Sequence, residues 1–522
     1  MTNTPLSPVC QTLLQVYLDS PQKTISDEET IRVSEAISSI AFLYEKLRNI
    51  VDYKEDHLFR IGAIKRFLSR NIFTRITPAK LSEQLLRELI RSRYLGNRRV
   101  PTAKIAQVAQ IIDNYQNVLD QLERPDNNLK NWLIDIASSQ IDQTVCPQIK
   151  ESALTSTFYQ MLKNNLNFDP ELANLQKMRL YIATQKALFK PSLATVRFNL
   201  LKGFLPGWED NPTETRRYFA QNITTIKNNI ETQIGHPDTE RLTRFCRRYT
   251  APFLILKDIL DRQNTQSLAI DDPEVLDNLI TETCLSRYSQ TRTILSRKAA
   301  RSIIYIFLTK MVLALLLEFP FDIWIAHRIK ILPLVINTLF PPILMFSFVM
   351  VIPKPDQNNT QKISAGLHQI IYQGVLKTVP FVFKKTTSNT LQKTIFALVY
   401  YLTFFVTFGL IIYVLYRLDF NFFSMLIFLF FLTMVSFFAY KISQTANELI
   451  VEEKEKPLAL LTDFFLLPII QAGKRFSSEL AKINIFNFIL DFFIEAPLKS
   501  ILEVVEDWLA FIKEKKEELI SG

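Results

Sequence analysis

Two uncharged apolar runs decide the fold of this 522-residue chain: IFALVYYLTFFVTFGLIIYVLY (395–416) and NFFSMLIFLFFLTMVSFFAY (421–440). Only the residues RLDF separate them. About 20 apolar residues in a helix cover the roughly 30 Å hydrocarbon core of a bilayer. The two runs therefore predict a membrane-spanning helical hairpin with a short turn.

Two weaker apolar stretches precede this hairpin, at about 302–326 and 331–352. The first contains three ionisable residues and the second contains three prolines, so a kinked or re-entrant pair remains an alternative to two full crossings. Together with 395–416 and 420–440, these stretches predict about four transmembrane helices.

The basic residues predict an orientation. The loop 353–394 holds six lysines against one aspartate, and Arg297, Lys298 and Arg301 precede the first stretch. The positive-inside rule places such segments in the cytoplasm. We therefore predict a multi-pass protein of the inner (plasma) membrane with both termini cytoplasmic, although the basic HRIK (327–330) would then lie outside.

The composition predicts an all-α integral membrane protein. Glycine is scarce, at 10 residues, whereas Leu, Ile, Gln, Glu, Lys and Arg are abundant, which favours helices over turn-rich strands. We predict a large helical cytoplasmic N-terminal region of two subdomains (1–145 and 146–300). The transmembrane region (301–441) and C-terminal amphipathic helices that are cytoplasmic or interfacial (442–522) follow.

A basic stretch lies between Phe59 and Arg99, with eleven Lys and Arg residues against two glutamates. Thr77 and Pro78 predict the start of a helix that carries several of these cations. The stretch predicts a surface for anionic lipid or a protein partner, or else a solvated face neutralised by acidic residues of other helices. Nucleic acid is less favoured, since no aromatic platform or zinc finger accompanies the arginines. The candidate binding residues are Arg66, Arg70, Arg87, Arg91, Arg98 and Arg99.

Lys310, Glu318 and Asp322 form a second candidate site, because they are the ionisable residues within the predicted spans. Burial of a charge in hydrocarbon is costly, so such residues indicate a polar path or site. The alternative is a structural role, by snorkelling to the interface or by hydrogen bonding between helices.

Motifs for catalysis and cofactor binding are missing from the sequence. No phosphate-binding glycine loop, zinc-ligand spacing or catalytic signature is present, and the N-terminus lacks the pattern of a signal peptide. We expect no enzymatic activity, no cofactor and no metal.

The preferred prediction is a membrane-anchored scaffold or interaction protein that presents its helical domain at the inner membrane surface. Its expected partners are anionic membrane lipids and a protein or a second copy of the chain. The alternative is an oligomeric ion or small-solute transporter or channel subunit that uses Lys310 and Glu318.

Overall fold

The structure is a computed structural model of the chain. It describes residues 5–19, 30–48, 56–72, 74, 76–122, 126–209, 213–262, 270–313, 320, 331–351, 355–383, 390–451, 457–482, 504, 508, 511 and 512. Within these ranges the chain forms helices and no strand, apart from one isolated bridge between Thr30 and Pro101. The prediction of an all-α fold is confirmed.

The described chain folds into two compact units. One contains Gln11–Cys246, and the other contains Arg247–Asn484 together with Met1–Cys10. The predicted division near residue 145 stays untested, although side chains from both sides of it, such as Ile141 and Val196, belong to one hydrophobic core.

Eleven described helices belong wholly or mostly to the first unit. They are α1 (Pro8–Leu18), α2 (Glu35–Arg48), α3 (Asp56–Asn71), α4 (Pro78–Arg91), α5 (Ala103–Asp120), α6 (Asn127–Val145), α7 (Ile149–Lys163), α8 (Ala173–Leu188), α9 (Leu193–Phe204), α10 (Thr213–Gly235) and α11 (Pro237–Arg247).

Helix α4 illustrates how the sequence builds this core. Pro78 occupies its first turn, where a missing amide hydrogen costs nothing. Leucines at three- and four-residue spacing then form one buried face, which packs against α5. The arginines of α4 lie between these positions and are half-buried.

The second unit contains the apolar helices. They are α12 (Thr250–Arg262), α13 (Pro273–Leu313), α14 (Ile331–Val351), α15 (Gln357–His368) with a π-helical turn (Gln369–Gln373), α16 (Thr390–Arg417), α17 (Phe422–Ala446) and α18 (Pro457–Lys482).

The predicted hairpin corresponds to α16 and α17. Thr394–Arg417 and Phe422–Gln444 are each long and apolar enough to cross a membrane. Asp419 adopts a left-handed backbone conformation in the turn between them, with φ of 61°.

The prediction of four spans is not confirmed. Within the described residues, two helices are long and apolar enough to span, and the apolar segment Leu332–Phe348 of α14 is shorter than either of them. The earlier stretch is helical up to Leu313, and residues 314–319 and 321–330 lie outside the described ranges.

The C-terminal region contains a longer helix than its sequence predicts, because Asp463 and Pro468 interrupt the apolar pattern without ending the helix. Helix α18 continues through Pro468 and packs against both α16 and α17. Most of the remaining C-terminal segment, predicted as amphipathic, lies outside the described residues.

Candidate membrane-interacting site

Helix α16 exposes an apolar surface over most of its length. Only 11% of the apolar window in Thr394–Arg417 is buried within the protein, against 50% of that in Phe422–Gln444. Phe396 and Phe405 are 73% and 75% exposed. Soluble monomeric proteins rarely expose an apolar patch of this extent, so the surface requires an apolar environment.

Helix α17 attaches the hairpin to the earlier apolar helices. The rings of Phe340 in α14 and Phe428 in α17 lie 4.9 Å apart between centroids. The Asn337 side-chain amide of α14 donates a hydrogen bond of 3.3 Å to the carbonyl oxygen of Ser424. A buried hydrogen bond between helices fixes their register as well as contributing stability.

Helix α18 packs against both helices of the hairpin. A Cβ added at Gly473 would lie 2.0 Å from the carbonyl oxygen of Thr433, so the two backbones are in close contact there. Tyr400 of α16 donates a hydrogen bond to the side chain of Gln471. The three helices α16, α17 and α18 therefore form one packed group.

A polar junction fixes the end of α17. The side-chain amide of Asn359 in α15 donates to the carbonyl oxygen of Leu449 at 2.7 Å and to the hydroxyl of Tyr288 at 3.0 Å. Its side-chain oxygen accepts from the amide of Val451 at 3.0 Å. One asparagine thus connects the loop between the predicted spans, the end of α17 and α13.

The same loop carries an apolar stripe that packs on protein. Ile363, Leu367, Ile370 and Ile371 are fully buried, and α15 lies against α12 and α13. Gly374, with φ of 65°, ends the helical segment.

Asp277 of α13 fixes the outer face of α15. It accepts hydrogen bonds from Ser364 at 2.6 Å and from His368 at 3.0 Å. Desolvation raises the pKa of Asp277, but these two hydrogen bonds and the nearby His368 outweigh it, so the net pKa lies below the usual value.

Asp277→Asn is expected to loosen the attachment of α15. A carboxyl with a lowered folded-state pKa stabilises the fold above its ordinary pKa, and this stabilisation is lost as the pH falls through the folded value. We therefore expect the backbone amides of Gln357–His368 to exchange faster in the variant than in the parent chain at neutral pH. This difference between variant and parent should become smaller at acidic pH. Glu282→Gln, an exposed position on the same helix, is the control and should leave exchange unchanged. Equal exchange in the parent chain and Asp277→Asn at neutral pH would contradict the prediction.

The intramembrane candidates are only partly described. Lys310 lies in α13 near its end at Leu313, whereas Glu318 and Asp322 lie outside the described residues. Their convergence into one polar site stays a prediction.

Several predicted binding arginines are paired with carboxylates. Arg66 bonds Glu45 at 3.0 Å, Arg70 bonds Glu88 at 3.3 Å and Arg87 bonds Glu83 at 2.9 Å. Arg91 is half-buried, whereas Arg98 and Arg99 are exposed. The pairs partly neutralise the basic stretch, as expected for a solvated face, and lipid or partner binding by these residues stays a prediction.

A half-buried ion-pair network connects four helices of the first unit, and sequence reasoning missed it. Arg197 of α9 bonds both Asp135 of α6 and Glu231 of α10 at 2.7 Å, and Lys65 of α3 bonds Asp135 at 2.5 Å. The Trp132 indole also donates to Glu231. These partners come from distant parts of the sequence, so no local motif indicates them.

A second buried pair, Arg60 and Asp142, lies beside a small cavity. Their atoms Nε and Oδ1 are 2.5 Å apart. Burial raises the pKa of Asp142, and the hydrogen bond and charge of Arg60 oppose that shift. The adjoining space of about 30 Å³, lined in part by His57 and Glu151, is large enough for about one water molecule. This arrangement fits a structural role.

The described residues offer no further site of recognisable chemistry. A shallow open groove of about 500 Å³ is lined partly by Arg32, Glu83 and Arg87. No group of three or more His, Cys, Asp or Glu residues in the described ranges could hold a metal ion. The four cysteines are free thiols, three of them buried.

Comparison of the chain with protein-family models, with curated proteins and with solved structures finds no match.

Proposed function

We propose that this chain is a membrane-anchored scaffold or interaction protein. In this proposal the hairpin of α16 and α17 inserts into the bilayer, and the helical unit of Gln11–Cys246 is presented at the membrane surface. The single observation that carries the proposal is the exposed apolar surface of α16.

The exposure and position of α16 argue against a soluble core helix and against a signal sequence. A core helix of a soluble protein is mostly buried, whereas the apolar window of Thr394–Arg417 is only 11% buried. A secretory signal sequence lies near an N-terminus, whereas α16 begins at Thr390. We propose that lipid is the environment that covers this surface.

The segment after the π-helical turn supports a position near the headgroups. Val375, Val379 and Val382 are exposed, and Lys377 among them is also exposed. An apolar and basic segment of this kind suits the boundary between anionic headgroups and acyl chains, and each basic residue near such a surface contributes about 1 kcal/mol. We accordingly propose that the loop 353–394 faces an anionic, cytoplasmic leaflet.

Phe405→Lys tests the anchor. Phe405 lies at the centre of α16, so its replacement by lysine should cost about 3 kcal/mol if the helix spans a bilayer. If α16 lies in water, an exposed substitution should change stability by less than about 0.5 kcal/mol. The measurement is the fraction of full-length protein that stays in the membrane pellet after an alkaline wash.

Leu285→Lys is the matched control, because Leu285 is 61% exposed on the first half of α13. We expect the parent chain and this control to stay in the pellet and Phe405→Lys to be partly extracted. Extraction of the parent chain itself would overturn the proposed anchor.

A further inference from the structure

Helix α18 runs antiparallel to α17 along the predicted membrane depth. Gly473 packs on Thr433, and the ring of Phe476 lies 5.9 Å from that of Phe430, three residues earlier in α17. Residue numbers therefore rise along α18 in the direction in which they fall along α17. Lys474 and Arg475, which follow Gly473, therefore lie at the level of the middle of α17.

The composition of α18 changes at this level. Residues 457–473 contain one charged side chain, Asp463, whereas residues 474–482 contain Lys474, Arg475, Glu479 and Lys482. Lys474 and Arg475 are both exposed. A charged side chain facing lipid at mid-depth costs about 2.5–3.5 kcal/mol, so this half of the helix requires a polar environment.

Polar groups of α16 lie at the same level. Helices α16 and α18 both run antiparallel to α17, and the bond between Tyr400 and Gln471 sets their register. Thr403 and Thr407 then lie level with the polar half of α18, and both are buried. The Thr407 hydroxyl has no hydrogen-bond partner within the described part of the chain. This buried hydroxyl is a polar group at mid-depth that the described protein atoms leave without a hydrogen bond.

We propose that the polar half of α18 lines a water-filled vestibule that opens on the membrane face opposite the polar junction of Asn359. Lys474 and Arg475 form its floor and attract small inorganic anions. The proposal rests on insertion of the α16–α17 hairpin and extends the function toward anion binding or passage. Irregular or polar structure at membrane depth is tolerated where it lines an aqueous cavity.

Thiol labelling of the full-length protein in sealed vesicles tests the vestibule. Ser477→Cys, in the polar half of α18, should react with a membrane-impermeant thiol reagent from one face. Ser289→Cys, on the exposed first half of α13, should react from the opposite face. Leu467→Cys, 50% exposed on the apolar half of α18, should stay unlabelled because it faces lipid. Labelling of the parent chain is subtracted.

The cationic floor is tested by the charge of the reagent. The rate of each reagent at Ser477→Cys is divided by its rate with a small thiol in solution. We expect this ratio to be several-fold higher for a sulfonate-bearing methanethiosulfonate than for a trimethylammonium-bearing one. The double change Lys474→Gln and Arg475→Gln should remove this preference. The exchange Lys474→Arg with Arg475→Lys keeps both charges and should retain it.

The possible results separate the vestibule from the anchor. Labelling of Ser477→Cys from the same face as Ser289→Cys, or no labelling, overturns the vestibule while the alkaline wash still supports the anchor. Equal reactivity of the two reagents overturns the anion site. Loss of the parent chain from the membrane pellet overturns both the anchor and the vestibule.

Discussion

Asp142→Asn is expected to destabilise the first unit by about 3–5 kcal/mol, because removal of one partner leaves the other charge buried and uncompensated. The side chains of Arg60 and Asp142 are only 10% and 4% exposed. Both charges are therefore shielded from bulk solvent, and the adjoining cavity has room for only about one water molecule. Denaturant unfolding followed by tryptophan fluorescence measures the change, since Trp132 and Trp208 are buried in the same unit.

Two further variants make this prediction specific to the buried charge. Glu83→Gln removes an exposed i,i+4 pair with Arg87 and should cost no more than about 0.5 kcal/mol. The double change Arg60→Met and Asp142→Leu replaces the pair by apolar side chains and should recover much of the lost stability. A double variant as unstable as Asp142→Asn alone would show that the buried charge is not the cause.

The sequence predicted those elements whose signal is local. The hairpin of α16 and α17 was predicted because two uncharged runs with one short turn have few alternative structures. The start of α4 at Pro78 followed from the threonine and proline that precede its leucines. In both cases, neighbouring residues contain the whole pattern.

The ion pairs could not be predicted residue by residue. Arg60 and Asp142 are 82 positions apart, and their contact depends on the packing of α3 against α6. The excess of positive charge between Phe59 and Arg99 is local, but the carboxylates of Glu45, Asp135 and Asp142 lie outside that stretch. Counting charges within this stretch alone therefore overestimates the positive charge on the folded surface.

Helix α18 differs from the sequence-based expectation for a related reason. Asp463 and Pro468 interrupt its apolar pattern, which favoured short interfacial helices. Packing along α17 and α16 supplies tertiary contacts that intrinsic helix propensity does not include. The close approach at Gly473 is visible in the sequence only as one small residue.

Gly473→Leu is expected to separate α18 from α17. Even its Cβ would lie 2.0 Å from the Thr433 carbonyl oxygen and 2.8 Å from the Phe437 Cβ. Two of the three nearest atoms belong to the backbone, so rotation of a side chain cannot relieve the overlap. Overpacking of a core lowers stability by about 1–3 kcal/mol, and by more where the overlap is with a rigid backbone. We therefore expect Gly473→Leu to destabilise the packing of α18 on α17 by about 3 kcal/mol or more.

A short bifunctional thiol reagent measures this separation through a pair of cysteines introduced at Phe430 and Phe476. We expect efficient cross-linking in the parent background and its loss with Gly473→Leu. Gly409→Leu is the matched control, because a Cβ at Gly409 in α16 would meet nothing within 4 Å. If Gly473→Leu retained the cross-link, α17 and α18 would not be in backbone contact at Thr433, and the depth assigned to Lys474 and Arg475 would lose its main support. Loss of the cross-link in Gly473→Leu alone would confirm the register on which the vestibule depends.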